Sequence, residues 1–440
     1  MTILLSIFTF LFSLSSISCP PLPGETEGAW PSAYDQIAAN PYLAGNQSAV
    51  YPEPTKALTP SPKGYKPFYM SHYGRHGSRF INGNGYSATY NLLRRADQAG
   101  KLTPLGCQTM EQIRLIRDEA EGRDGELTPL GAQQHRDIAS RMHRNFPEIF
   151  AARNATIEAH STIVIRCILS MENALQQLSA LNPKLRIVHD ASAHDMIYMN
   201  HSEKGLDQYV RPARLKQREL VADNIKPERL MRLLFNDDAY WHDSINASDL
   251  MMNIFKLVTH VQNSELRHQM NLLSLFTTDE LYALWQIGNS NWYVNGACSP
   301  LTQAMMPYSQ RNLIHKMLQE ADSCLALPYP SASLRYGHDG NVLPLVCFLQ
   351  LDGIDAQLPL EDLGPKGWCD FNIIPMASNV QIIFYRTAKN DKPILVKVLR
   401  NEREARLPIP TTTWPYYTWQ DVREYYAAKL ARYDAGDLPN

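Results

Sequence analysis

Pro67-Phe68-Tyr69-Met70-Ser71-His72-Tyr73-Gly74-Arg75-His76-Gly77-Ser78-Arg79 is the stretch on which the reading turns. Its first half is a short aromatic run of the kind that fills a strand. Its second half is a cationic loop, in which Gly74 and Gly77 leave the backbone free to turn and to approach a ligand closely. Two guanidiniums there bracket an imidazole. An arginine fork matches a pair of phosphate oxygens, and a neutral imidazole nitrogen can attack phosphorus. Taken alone, five residues of this pattern fit a solvated basic turn equally well, so the rest of the chain has to decide.

Working outward, Thr128 reads as a helix N-cap with Pro129 in the first turn. Leu130, Ile138, Met142 and Phe146 then fall on one face. Thr156 to His160 is short and alternating. From Thr162, residues Cys167, Met171, Ala174, Leu178 and Leu181 keep helical spacing until Asn182-Pro183 stops them. The order so far is βαβα.

From about residue 198 to 323 the chain is helical in character, as in Pro227 to Leu234, Asp249 to Thr259 and Asp279 to Ile287. Strand character returns at Ala332 to Gly337. A hairpin follows from Val380 to Tyr385 and Pro393 to Leu399, and a capped helix runs from Thr418 to Tyr433. The expected organisation is a discontinuous α/β domain, residues 67–197 plus 324–440, interrupted by a helical cap at 198–323. Residues 19–66, rich in Pro and Gly, read as linker and surface loops.

The 440 residues include 42 Lys plus Arg against 44 Asp plus Glu, a formal charge of −2. Such a balance gives no global attraction for nucleic acid or anionic lipid, so an anionic ligand must be held by a local cluster. With 44% hydrophobic residues and a mean hydropathy of −0.32, bulk disorder is excluded and a sizeable core is implied.

Residues 1–18 carry an apolar run from Ile3 to Phe12 and then small residues, which reads as an export signal, without Lys or Arg in its first part. Ser16-Ile17-Ser18-Cys19 resembles a lipobox lacking the usual Leu. Lipidation of Cys19 and ordinary cleavage by a secretion peptidase both stay open. The expected location is therefore outside the cytoplasm: periplasmic, secreted or on the cell surface, with the membrane touched only through an anchor at Cys19. Six further cysteines allow up to three disulfides, and Cys298 with Cys324 and Cys347 with Cys369 would close modest loops. No Cys or His pair has zinc spacing.

Two more elements bear on the chemistry. His338-Asp339 follows the strand-like Leu334 to Gly337, where a second strand-end histidine can face the first. Asp339 is the residue type that protonates an alkoxide leaving group, a step requiring a carboxyl held protonated at working pH. An N-cap pair would look the same. Arg166, in Arg166-Cys167-Ile168-Leu169-Ser170, can bring a third cation to the pocket edge, although a lone helical arginine is usually a surface residue.

Arg-His-Gly-x-Arg at 75–79, Arg-x-x-x-Ser at 166–170 and His-Asp at 338–339, in this order, resemble the histidine acid phosphatases, the large branch of the histidine phosphatase superfamily. Glu126 to Gly131 and on through Arg141 resembles that family's helix after the first motif. The likeness spans about Phe68 to Leu407 and is strongest to the multiple inositol polyphosphate phosphatases and phytases. The resemblance implies a phosphoglycerate-mutase-like α/β fold with a central mixed sheet flanked by helices and an inserted α-helical cap. It implies His76 as nucleophile, Arg75, Arg79, Arg166 and His338 as phosphate ligands, and Asp339 as proton donor. No cofactor or metal is then needed, because the protein supplies the cations.

The substrate class so implied is a small phosphomonoester. Inositol polyphosphate phosphatases of this type usually carry His-Ala-Glu where this chain has His338-Asp339-Gly340-Asn341, which is closer to phytases and sugar phosphatases. Lys204, Arg211, Arg214, Lys216 and Arg218 could meet the outer phosphates of phytate or form a solvated helix face. A phosphoglycerate-mutase-like transferase is a distant rival. An exported lipoprotein that binds phospho-ligands with an idle histidine is another.

Overall fold

A computed structural model describes residues 31–83, 85–200 and 203–436. The expected export signal and Cys19 lie outside the described residues. An eight-stranded mixed sheet organises the chain: β1 (Tyr65–Arg75), β2 (Thr156–Ser161), β3 (Arg186–Asp190), β4 (Ser331–Gly337), β5 (Asn379–Thr387), β6 (Leu395–Arg400), β7 (Arg403–Glu404) and β8 (Tyr417–Thr418). Their order is β3-β2-β4-β1-β5-β6-β7, with β8 on β6. β1 is central. It runs parallel to β4 with Arg75 opposite Gly337, and antiparallel to β5 with Gly74 opposite Asn379.

The helices that matter below are α1 (Ala33–Ala39), α2 (Gly85–Gln98), α3 (Pro104–Ala120), α4 (Pro129–Asn145), α5 (Ile165–Leu181), α6 (Asp207–Leu220), α7 (Glu228–Leu234), α8 (Ala247–His260), α9 (Thr278–Gly296), α10 (Arg311–Leu325), α11 (Asp339–Phe348), α12 (Asp370–Ile373) and α13 (Trp419–Asp434). Alternation along the strands loads both faces of the sheet. Met70, Ile157, Leu334 and Ile383 pack with Ile138 and Met142 of α4 and Met171 and Leu178 of α5. Tyr69, Tyr73, Val380 and Phe384 point the other way, onto Leu343 and Val346 of α11, Ile314 and Met317 of α10 and Val422 of α13. Thr128 accepts from Gly131 N as the α4 N-cap, with Pro129 behind it.

A second apolar cluster forms a helical layer from α1, α2, α3, α7, α8 and α9. Two expectations are corrected here. Residues 33–48, expected within a linker, instead form α1 and a 3₁₀ turn at Pro41–Ser48. Ala33, Ile37 and Ala44 are buried in the helical layer, so the small apolar residues of this turn-rich stretch are core. The expected cap boundary at 323 also moves. α10 packs on the sheet rather than in the cap, because its Leu313, Ile314 and Met317 face the β1–β5 surface, while α2 and α3 from outside 198–323 join the helical layer.

All six described cysteines are free thiols. The loop-closing pairs are not formed, and Cys347 and Cys369 lie in different apolar clusters. Lys204, Arg211, Arg214, Lys216 and Arg218 belong to α6 and the turn before it. Arg211, Arg214, Lys216 and Arg218 are solvent-exposed, and Arg214 donates to Asn295 Oδ1 at 2.6 Å. This is the solvated-face reading, since α6 turns Val210, Ala213 and Gln217 inward.

Candidate active site

β1 and β4 end side by side, and each delivers its motif at its C-terminal edge, where parallel strands leave a crevice. His76 N donates to Gly337 O at 2.9 Å, stitching the two strand ends together. The loop after β1 is pinned by three helices. Gly77 N donates to Ser170 Oγ of α5 at 3.1 Å, and Ser78 N to Gln134 Oε1 of α4 at 2.8 Å. Ser78 Oγ donates to Asn263 Oδ1, just past α8, at 2.7 Å. The Arg-x-x-x-Ser pattern thereby acquires a physical meaning: Ser170 holds the loop and also donates to the carbonyl of Arg166, one turn earlier. A Cβ on Gly77 would stand 2.3 Å from the Gly131 carbonyl, so loop and helix meet backbone to backbone and neither position has room for a side chain.

All six expected residues converge. His76 Nδ1 lies 2.9 Å from the carbonyl of Gly77. A carbonyl only accepts, so Nδ1 carries the proton and Nε2 keeps its lone pair. Burial, then Arg75 and Arg79, push the imidazole well below its ordinary value, so it is neutral and nucleophilic. The His338 ring stands 5.8 Å from the His76 ring, edge to face. Burial lowers His338 to about 4 against the pull of Asp339, and its Nε2 is 3.2 Å from Thr162 Oγ1.

Arg75 is fully buried. Its Nη1 donates to the carbonyls of Gln47 at 2.5 Å and Ile374 at 2.8 Å, and Nη2 stands 2.7 Å from Asp339 Oδ2. Arg79 donates from Nη1 to Phe80 O at 2.8 Å, and burial with Arg75 lowers it to about 10. Three guanidinium nitrogens, Arg75 Nε, Arg79 Nε and Arg166 Nε, have no hydrogen-bond acceptor among the described residues. Buried donors are rarely left so. Three such donors, one on each of three mutually interacting arginines, make a cradle for a tetrahedral oxyanion.

Asp339 departs from expectation. Burial works to raise its carboxyl, but Arg75, Arg79, His338 and the Gly340 N–H outweigh it and hold the group below the usual carboxylate value. Asp339 is therefore ionised in the ligand-free protein rather than waiting protonated. Its donor capacity depends on what the arginines face, because an anion between them takes up the charge that now holds Asp339 down.

Residues from the helical layer also serve the site, and chain spacing carried no sign of them. His260, at the end of α8, points Nε2 at the Arg79 carbonyl, 2.6 Å away, and burial holds it neutral with a value of about 3. Lys256 lies one turn earlier on α8, and partial burial and Arg79 push its ammonium down. Asp370, discussed below, lies behind Arg75.

The fold, the paired strand-end histidines and the arginine cradle define a histidine phosphatase, a phosphoric monoester hydrolase. The description "Histidine phosphatase superfamily (branch 2)" matches residues 75–401, and the chain belongs to that superfamily. No curated protein sequence matches the chain. Among solved structures it is similar to the Bifidobacterium longum multiple inositol polyphosphate phosphatase in complex with inositol hexasulfate. That pair shares 18% identity at a TM-score of 0.71, covering 88% of this chain and 98% of that one. It is also similar to the D. castellii phytase, at 14% identity and a TM-score of 0.66, covering 89% and 85%.

Proposed function

We propose that the protein is an exported histidine acid phosphatase that hydrolyses phosphomonoesters, inositol polyphosphates among them, through a phosphohistidine at His76. The observation that carries the reading is the His76 ring, held with Nε2 free beside guanidinium donors that lack acceptors among the described residues. Arg75, Arg79, Arg166 and His338 hold the phosphoryl oxygens. Nε2 attacks phosphorus opposite the ester oxygen, the P–O bond breaks, and the departing alkoxide takes a proton from Asp339. Water then attacks phosphorus, the Asp339 carboxylate accepts its proton, the N–P bond breaks with its electron pair returning to Nε2, and inorganic phosphate leaves with the imidazole restored. Charge moving onto the leaving group is met by fixed guanidiniums, which need no reorganisation.

Two observations support a polyphosphorylated substrate. The B. longum neighbour is described as a complex with inositol hexasulfate, a sulfated mimic of the inositol ring carrying six anions. Lys256 adds a cation beyond the three arginines, near enough to Arg79 for the two charges to repel. Export rests on residues 1–18.

The test is phosphate release, with a chelator present, from inositol hexakisphosphate, glucose 1-phosphate and p-nitrophenyl phosphate, comparing wild type with His76→Ala. Expected is release favouring the inositol ester, abolished in the variant, with an acid-labile, base-stable phosphoryl adduct trapped on wild type. A folded wild type that turns over none of the three and traps no adduct overturns the reading.

A further inference from the structure

The two carbonyls that grip Arg75 do not belong to the catalytic loop. Both hang from one buried residue, Asp370. Asp370 is fully buried at the start of α12, and its backbone carbonyl accepts from Ile374 N at 2.8 Å, closing the single turn that presents the Ile374 carbonyl to Arg75. Its side chain interacts with Asn46, the residue before Gln47, whose carbonyl is the other grip. Asn46 sits at a left-handed φ of 55°, costly for a residue other than glycine unless its surroundings insist.

Those surroundings come from the cap helix α9. Trp285 Nε1 donates to Asp370 Oδ1 at 3.1 Å, Asp370 N donates to Asn289 Oδ1 at 2.9 Å, and Asn46 Nδ2 donates to the Trp285 carbonyl at 3.0 Å. The approach is close enough that a Cβ on Gly288 would stand 2.3 Å from Asn46 Oδ1.

Asp370 Oδ1 is well served, with Phe371 N as a further donor at 2.9 Å, while Oδ2 has no partner. A buried carboxyl with one oxygen unpaired is expensive to keep. An amide could accept the same two bonds at Oδ1. What the carboxyl adds is a negative charge that can be switched on beside Arg75, with which it interacts electrostatically.

We infer that Asp370 is a positioning residue for Arg75: it fixes the two carbonyls that aim the guanidinium and, when ionised, reduces the positive charge offered to the phosphoryl group. The inference rests on the phosphatase reading above. Arg75 from β1 and the neighbouring Cys369 thiol are the charged and titratable groups facing it among the described residues, and α9 and the Asn46 turn present neutral partners. Burial raises Asp370 to about 7. Anion binding therefore weakens as pH rises through neutrality, because of a group that touches no ligand.

Sulfate, which does not titrate in this range, is the probe, measured by calorimetry from pH 5.5 to 8.5 on the full chain. Wild-type affinity should fall about three- to tenfold across the range, the scale of one charge acting through protein at effective dielectric near 20. Asp370→Asn, which is isosteric, should bind with a flat profile. An Asp370→Asn profile that tracks wild type overturns the charge role.

Gly288→Ala alters no charge but displaces Asn46. It should lower kcat/KM for p-nitrophenyl phosphate at least about tenfold, since misplacing a catalytic group by about 1 Å costs that much or more. It should also keep the wild-type pH dependence. Wild-type kcat/KM in Gly288→Ala overturns the positional role, and this holds even where Asp370→Asn fails to fold. Sulfate binding is read without turnover, so a chain that binds sulfate but hydrolyses no ester separates failure of the phosphatase reading from failure of this one.

Discussion

Arg75 Nη2 stands 2.7 Å from Asp339 Oδ2, so the guanidinium proposed to bind the transferring phosphoryl is the same group that keeps the proposed proton donor ionised. Substrate must separate the two electrostatically before Asp339 can act. Replacing the carboxyl by its amide keeps the side chain's shape and removes the proton together with the charge that faces Arg75. Asp339→Asn is expected to lower kcat for inositol hexakisphosphate about 10²- to 10³-fold, the usual worth of general acid catalysis. The loss for p-nitrophenyl phosphate should be much smaller, because a nitrophenolate departs without a proton. Steady-state kinetics on the two esters checks the ratio, and equal losses on both would remove Asp339 from the donor role.

The same pair sets a pH signature. In the free protein Arg75 and Arg79 hold Asp339 below the ordinary carboxylate value. In the substrate complex the phosphoryl oxygens occupy those guanidiniums, and burial, which already acts to raise the group, prevails. The protonated form is the active one, so rate is lost as pH rises through whichever value applies. Since kcat/KM reports the free enzyme and kcat the complex, the alkaline limb of kcat should lie at higher pH than that of kcat/KM. His76 is neutral well below its ordinary value, so it adds no acid limb near pH 6. Coincident alkaline limbs, measured with inositol hexakisphosphate from pH 3 to 8, would contradict this account.

Gly131 shows how little slack the loop has. A Cβ there would stand 2.1 Å from the Ser78 carbonyl, on the first turn of the helix whose Gln134 holds Ser78 N. Backbone cannot yield as a flexible side chain can. Gly131→Ala should cost about 1–3 kcal/mol of stability, the range for overpacking. It should also cut kcat by a larger factor than the stability loss explains, since the strain falls on the loop bearing His76. Urea unfolding beside kcat at a temperature where the variant is fully folded checks both.

Much of this architecture is legible in local sequence. The aromatic run before Arg75, the Thr128-Pro129 start of α4, the spacing from Cys167 to Leu181 and the apolar pair that becomes β5 and β6 each announce themselves within one element. What escapes is long-range. β3 is an exposed edge strand, with Val188 half open to solvent, and carries no alternation to detect. Residues 33–48 look like linker because they lie between Pro- and Gly-rich stretches and are themselves rich in small residues, yet those small residues let α1 and its following turn lie against α9. Lys256, His260 and Asp370 reach the site only through folding. In the chain they are ordinary residues of a helical region and a loop, and no motif binds them to Arg75 or Arg79.

Lys256 supplies the last expectation. It lies one turn before His260, whose Nε2 is bonded to the Arg79 carbonyl, so α8 presents both side chains toward Arg79. Arg79 pushes the Lys256 ammonium down, while Asp124, bonded to Gly83 N, pulls it up. A lysine that makes no ion pair among the described residues and lies beside an arginine carries a repulsion that an anion would relieve. On a monoester there is no second anion to do so, whereas a neighbouring phosphate on a polyphosphorylated ring can. A charged hydrogen bond of this kind is worth about 1.5–3 kcal/mol, or roughly 10- to 150-fold in affinity when desolvated and less at a rim. Lys256→Ala should raise KM for inositol hexakisphosphate at least about fivefold more than KM for p-nitrophenyl phosphate. Lys256→Arg, which keeps the charge, should restore most of the difference. Equal KM changes on the two substrates would place the outer phosphates elsewhere in the pocket.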